Sequence, residues 1–317
     1  MVRSSPGSRT AALASGAPYH RSVGYLLVAN DNAGAGGDDL LAQVRSRLAD
    51  APVVALEPGL DLAERVGSAV ADDRVIVAVG GDGTVNAVAQ QVVAAGGTMG
   101  VVPAGTLNHF ARDLGVAEVA DAIEALERAE TRQIDVGGVD ERVFVNNLGI
   151  GLYPEVVRRR ERQEDRLGKW PALLASAVQV FIDFDPLEGV VEADGDRRVL
   201  EAAAVFVGNN VFSTDPGRIG TRERLDEGVF DLRIVRTSES MRARSNQAWH
   251  AITRRPRRVV RTTARRVRVE LRDGARPIAL DGEEIGDRQV IDIAMEPGAL
   301  RVVVPADELG RTPTIQP

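Results

Sequence analysis

The residues Gly80-Gly81-Asp82-Gly83-Thr84-Val85-Asn86 place glycines, a carboxylate, a hydroxyl and a carboxamide side by side. They follow the apolar, mostly β-branched run Val75-Ile76-Val77-Ala78-Val79, which reads as a buried strand. From Val85 to Val93 the chain is apolar and helix-compatible. A strand, a glycine turn and a helix start together present backbone N–H groups to a phosphate. Glycine lets that backbone come close and take up positive φ. Asp82 adds a hard oxygen ligand of the kind Mg²⁺ prefers. The pattern is not the dinucleotide fingerprint, whose third glycine would fall on Asn86, and no Gly-Lys-Ser/Thr of a P-loop follows. Taken alone, it is equally a plain βα turn.

Two more turns have the same setting. Gly24 to Ala29 reads as a strand and leads into the polar, glycine-rich stretch Asn30 to Gly37. Met99 to Val102 reads as another, followed by Pro103-Ala104-Gly105-Thr106-Leu107-Asn108-His109-Phe110-Ala111-Arg112-Asp113. Gly105 and Thr106 can offer an N–H and a hydroxyl to phosphate, and Asn108 and Arg112 a neutral donor and a cation. The same residues also suit a helix-capping turn. Ligands of a doubly wound sheet sit outside the carboxyl ends of its strands, so all three turns are expected on one edge. The distant Leu280-Asp281-Gly282-Glu283-Glu284 is a hairpin signal that also carries a carboxylate cluster. Folded over the nucleotide edge, one of its acids can serve as general base.

The elements that must position these residues change character along the chain. Strand and helix alternate to about residue 130, including helical spacing at Leu40–Leu48, Leu62–Val70 and Val116–Ala129, the pattern of a parallel sheet covered by helices. Short β-rich runs follow, separated by Asp194-Gly195, Asp273-Gly274, Asp281-Gly282 and Pro297-Gly298, and they read as an antiparallel sandwich. A helical insert is expected over 155–181. The expected division is a tail at 1–22, an α/β domain at 23–134, a β-sandwich domain at 135–304 and a tail at 305–317. With 317 residues and 44% apolar content the chain can bury two ordinary cores, packed on Val, Leu and Ala because aromatics make up only 4%. The absence of cysteine excludes disulfides and thiolate metal sites, and three histidines make a His-rich metal site unexpected. A net charge of −7 argues against nucleic acid as a partner. Arginines crowd residues 254–268, either as a solvated face or as a contact for anionic headgroups. No apolar run reaches the length of a membrane span.

Four motifs in order, Gly80–Asn86, Gly105–Arg112, Ile134-Asp135-Val136-Gly137 and Leu280–Glu283, make the chain strongly resemble the diacylglycerol kinase catalytic-domain family. That family includes bacterial soluble lipid kinases and sphingosine kinases. The resemblance runs from about residue 24 to 304. It implies a Rossmann-like or phosphofructokinase-like α/β domain followed by a β-sandwich, with the active site between them. It implies transfer of the γ-phosphate of ATP to a lipid hydroxyl, with Mg²⁺. The nucleotide would be held by Asn30, Gly80, Gly81, Asp82, Gly83, Thr84, Val85, Asn86, Gly105, Thr106 and Asn108. Glu283 matches the proton acceptor, with Asp281 and Asp82 beside it in the catalytic set. Asp82 and Asp135 match the acidic metal network. Arg224, Glu227 and Val229 match a structural magnesium loop in which aspartate usually stands at the position of Glu227. His109 replaces a usual aspartate, and a neutral imidazole is a poor Mg²⁺ ligand. The implied partners are a lipid acceptor in a membrane and an anionic membrane surface, with a homodimer left open; Leu167–Phe181, with Trp170 and Phe181, reads either as a lipid-facing lip or as a helix packed on the sandwich core. The implied location is cytoplasmic and peripherally membrane-associated. The alternatives are a kinase for a soluble acceptor such as NAD, and a non-catalytic lipid- or nucleotide-binding protein.

Overall fold

The computed structural model describes residues 23–30, 37–48, 51–151, 186–215, 218, 220–236 and 259–306. The expected helical insert with its lip at Trp170 and Phe181, the tail at 1–22 and Arg254–Arg258 lie outside the described residues.

The first half is a parallel sheet. Strands β1 (Gly24–Ala29), β2 (Val53–Ala55), β3 (Arg74–Gly80) and β4 (Thr98–Pro103) lie in the order β4-β3-β1-β2. Their β-branched centres are enclosed, and Ile76, Val77 and Ala78 have no exposed surface. Helices α2 (Leu62–Ala71) and α3 (Asp82–Ala95) pack together, whereas α1 (Gly37–Arg47) is tied to α5 (Val119–Arg128) by the Arg47–Glu127 pair at 2.7 Å. Between β4 and α5 lies the short α4 (His109–Asp113). The helix expected from Val116 starts only at Val119, where Glu118 and Asp121 form a capping box.

The second half is the expected antiparallel sandwich. One layer runs through β14 (Glu283–Arg288), β13 (Arg276–Leu280), β7 (Asn147–Gly151), the end of β9 (Asp196–Asn209), β10 (Phe230–Arg236) and β11 (Val259–Ala264). The other joins the start of β9 to β8 (Leu187–Ala193), β12 (Arg266–Leu271) and β15 (Val290–Val303). Leu148, Val205, Val207, Leu232 and Ile278 of the first layer meet Val191, Val267, Val269, Ile291 and Ile293 of the second in a separate core. Two turns follow the hairpin expectation. Asp194-Gly195 joins β8 to β9 and Asp281-Gly282 joins β13 to β14, each with both residues at positive φ.

Two expected turns differ. Asp273-Gly274 links β12 to β13, which do not pair, so it is a crossing rather than a hairpin. Pro297-Gly298 is an irregularity inside the continuous β15, where the pairing with β5 (Thr131–Val139) shifts between Glu296 and Leu300. That bend lets β15 leave the sandwich and end parallel to β4. β5 likewise runs unbroken through residues 134 and 135, with Ile134 and Val136 in the first core and Val139 in the second. From β5 the chain turns at Asp140 into β6 (Arg142–Phe144) and then β7.

Candidate active site

Asn30, Gly81 and Ala104 follow the adjacent parallel strands β1, β3 and β4 and so share one sheet edge, while residues 31–36 of the first turn lie outside the described residues. Gly80 is required because a Cβ there would stand 2.4 Å from the buried Thr84 hydroxyl. The second and third turns touch main chain to main chain: a Cβ on Gly105 would lie 2.5 Å from Gly81 Cα. α3 begins at Asp82 with Gly81 as an extended N-cap that supplies no side-chain acceptor. Its first-turn N–H groups therefore face the edge as an anion site. Thr106 is exposed there. Val85 and Asn108 have other employment. The Val85 side chain is in the core, and its N–H bonds Gly81 O at 3.0 Å. Asn108 sits at φ 49°, accepts from Gly105 N–H and donates to Gly105 O, both at 2.9 Å, and so pins its own turn. Asp82 spans the two turns, accepting from His109 N–H at 3.4 Å and Phe110 N–H at 3.3 Å.

The hairpin β13–β14 closes over this edge. Glu283 brings its carboxylate against α3, with Oε1 2.8 Å from where a Cβ on Gly83 would be. Asn86 donates to Asp281 Oδ2 at 2.6 Å and to Val143 O at 3.2 Å. Asp281 also accepts from the Val145, Asn146 and Asn147 N–H groups, each at 2.8 Å. Its main chain forms the half-buried turn while the carboxylate is enclosed. Burial pushes the Asp281 carboxyl above its ordinary pKa, against the pull of the four N–H donors. Asp281 thus clamps the 145–147 segment, and the acid left facing the glycine turn from this hairpin is Glu283.

The acids expected around metal are spent differently. Asp135 is 2% exposed and accepts from Gly228 N–H at 2.7 Å and Gly298 N–H at 2.9 Å. It ties the 224–229 loop to the bend of β15. In that loop Arg224 pairs with Asp226, Glu227 accepts from Val211 N–H at 2.9 Å, and Val229 is half-buried beside Phe230. Asp226 also meets Arg132 at 2.7 Å. Burial pushes Asp226 up, but the two guanidiniums overcome it and hold its pKa below the ordinary value. Among the described residues no three or more His, Asp or Glu side chains gather as a metal site. What remains is Asp82, whose two long hydrogen bonds leave its carboxylate weakly held at the glycine turn. Mg²⁺ commonly uses one or two carboxylates and completes its shell with substrate phosphates and water, and Asp82 fits that limited role.

Sequence reasoning missed the pair that backs this site. Arg222 has no exposed side-chain surface and meets Asp113, 4% exposed, at 2.7 Å. It also donates to Val145 O at 2.6 Å, Asn146 Oδ1 at 2.8 Å and Asn209 O at 3.1 Å, and stacks 5.2 Å from the Phe212 ring centroid. Asp113 directly follows the Gly105–Arg112 motif. Arg222 stands among other charges in Arg218 to Arg224, and nothing local marks it as buried.

Comparison with known proteins agrees with this architecture. Residues 24–139 match the family model described as diacylglycerol kinase catalytic domain, and residues 153–304 match the YegS C-terminal NAD kinase beta sandwich-like domain. An uncharacterized protein of Synechocystis is 25% identical over 74% of this chain, which spans 56% of that relative's length. A Pseudomonas aeruginosa protein named "Probable lipid kinase YegS-like" is 28% identical over 73% of this chain and 76% of its own. The crystal structure of a diacylglycerol kinase from Bacillus anthracis superposes with a TM-score of 0.66 at 22% identity, covering 90% of this chain and 97% of that one. The α/β sheet with its glycine turns and the sandwich that folds back over them each match their own model, and residues 24–139 belong to the diacylglycerol kinase catalytic-domain family.

Proposed function

We propose that the chain transfers the γ-phosphate of ATP to a hydroxyl of a lipid of the diacylglycerol class. One observation carries this reading: the Glu283 carboxylate lies against Gly83 at the start of α3, on the same edge as the Gly81–Gly105 contact. A nucleotide phosphate at the α3 N-terminus therefore sits beside a carboxylate able to take a proton. The first-turn N–H groups of α3 and the Thr106 hydroxyl bind the phosphates, and Gly105, whose N–H is held by Asn108, leaves room for them. Glu283 accepts the hydroxyl proton as the lipid oxygen bonds to the γ-phosphorus and ADP departs, so charge and protons balance. Mg²⁺, held by Asp82 together with phosphate oxygens, would supply charge neutralisation. Alignment is the rest of the task, and the Asp82–α4 and Asp281–Asn86 bonds provide it. Among the described residues no helix is long and apolar enough to cross a membrane, and the reading assigns peripheral contact with an anionic surface.

The test is phosphate transfer from labelled ATP to dioleoylglycerol in mixed micelles, run beside NAD and an acceptor-free control. Lipid-dependent transfer that disappears in a folded Glu283→Ala variant is expected. Transfer to NAD alone would replace the lipid reading. Full activity of Glu283→Ala would remove the proton acceptor.

A further inference from the structure

The polar contacts of the site form a closed circuit through both halves of the molecule. Asp82 of α3 accepts from the His109 and Phe110 N–H groups at the start of α4. Asp113, the last residue of α4, accepts from Arg222 N–H at 3.1 Å and Nε at 2.7 Å. Arg222 then donates to Val145 O and Asn146 Oδ1. The same segment gives its N–H groups to Asp281. Asp281 returns to α3 through Asn86, one helical turn beyond Asp82. Two catalytic candidates ride on this circuit: Asp82 is a member, and Glu283 is one residue past the Asp281-Gly282 turn.

We propose that the buried Asp113–Arg222 pair is a positioning device for phosphoryl transfer, holding the Asp82 turn and the Glu283 hairpin at one spacing. The proposal rests on the kinase reading above. A fully enclosed ion pair gains little over apolar side chains of the same volume, so stability alone is a poor reason for it. Its geometry suits placement. The planar guanidinium fork reaches α4, the 145–146 segment and the end of β9 at once, which a lysine ammonium cannot do. Removal of the pair frees α4 to shift relative to the hairpin, and a displacement of about 1 Å is enough to cost roughly a hundredfold in rate.

Two variants test this. The double variant Asp113→Leu with Arg222→Met removes both charges and leaves no lone buried ion. Arg222→Lys keeps the charge and loses the fork, and serves if the double variant does not fold. For a variant that melts cooperatively, the expected result with ATP and dioleoylglycerol micelles is a kcat lowered about a hundredfold in the double variant and about tenfold in Arg222→Lys, with the KM for ATP within about threefold of wild type. Wild-type kcat in either folded variant overturns the proposal. So does a loss confined to the KM for ATP, because the pair would then only shape the nucleotide site. If the wild-type protein transfers no phosphate, the kinase reading fails by itself. The circuit is then judged by amide exchange at His109 and Phe110, which Arg222 does not touch. Faster exchange in the variants supports the coupling, and unchanged exchange overturns it.

Discussion

Asp281 and Glu283 are separated by one glycine, yet one is enclosed by four N–H donors and the other is exposed at the glycine turn. The substitution Asp281→Ala leaves those donors without an acceptor. At about 1–3 kcal/mol for each unmet buried group, with partial relaxation, it is expected to cost on the order of 4 kcal/mol in urea unfolding. Glu283→Ala is expected to stay within about 0.5 kcal/mol of wild type and to lose activity by at least about a hundredfold. The reverse pattern, a stable Asp281→Ala and an unstable Glu283→Ala, would exchange the two roles. Gly83→Ala is a gentler probe. Its methyl meets the far end of a flexible side chain rather than backbone, and alanine favours the helix by roughly 0.5–1 kcal/mol over glycine. An unchanged or raised melting temperature with at least a tenfold lower kcat is expected. The hairpin and its acids were legible in the sequence, but which acid faces the glycine turn was not. The decision belongs to N–H groups lying 134 to 136 residues earlier in the chain.

At the scale of elements, β1, β3 and β4 were readable because a strand buried on both faces leaves a run of β-branched residues with little polar interruption. The Pro297-Gly298 bend was not, since the same dipeptide ordinarily ends a strand and here allows one strand to serve two sheets. The arginine run was visible as charge, but its pairing partners were not. Arg261 of β11 meets Asp231 of β10 at 2.7 Å, and Arg268 of β12 meets Glu270 and Asp292. Asp231 has no exposed surface and also accepts from Arg233 and from Phe212 N–H. Burial pushes its pKa up, but the donors from Arg261 and Arg233 prevail and hold it below the ordinary 3.8. A carboxyl with a lowered folded pKa stabilises fully above its unfolded value and loses that contribution as pH falls through the folded one. Asp231→Asn is therefore expected to cost roughly 2–3 kcal/mol at pH 7, less than a wholly enclosed pair because both arginines are partly exposed. The gap between variant and wild type should narrow below about pH 4. Urea midpoints at pH 7 and pH 3 check this, and a gap that stays constant would remove Asp231 from the acid limb.

The whole molecule is wound so that neither half closes without the other. β5 carries the chain out of the parallel sheet and β15 carries it back, and the two strands pair along most of their length. Leu300 and Val302 have no exposed surface, and Val303 and Val304 are within 3% of full burial, all in the core of the α/β half. Burial of side chains of this kind contributes about 1.5–3 kcal/mol each, so these residues together supply on the order of 6–12 kcal/mol. A domain's entire stability is commonly about 5–15 kcal/mol. A fragment of residues 23–134 contains the glycine turns and strands β1 to β4, yet lacks that contribution and leaves β4 with an open edge. It is expected not to fold by itself, giving no cooperative urea transition by circular dichroism and no protected amides in α3. A peptide of residues 290–306 added in trans supplies the missing strand and is expected to restore partial protection. A fragment that folds cooperatively without the peptide would show that the α/β half is autonomous. The spacing between the glycine turn and the Glu283 hairpin would then depend on docking between two independent bodies rather than on strands they share.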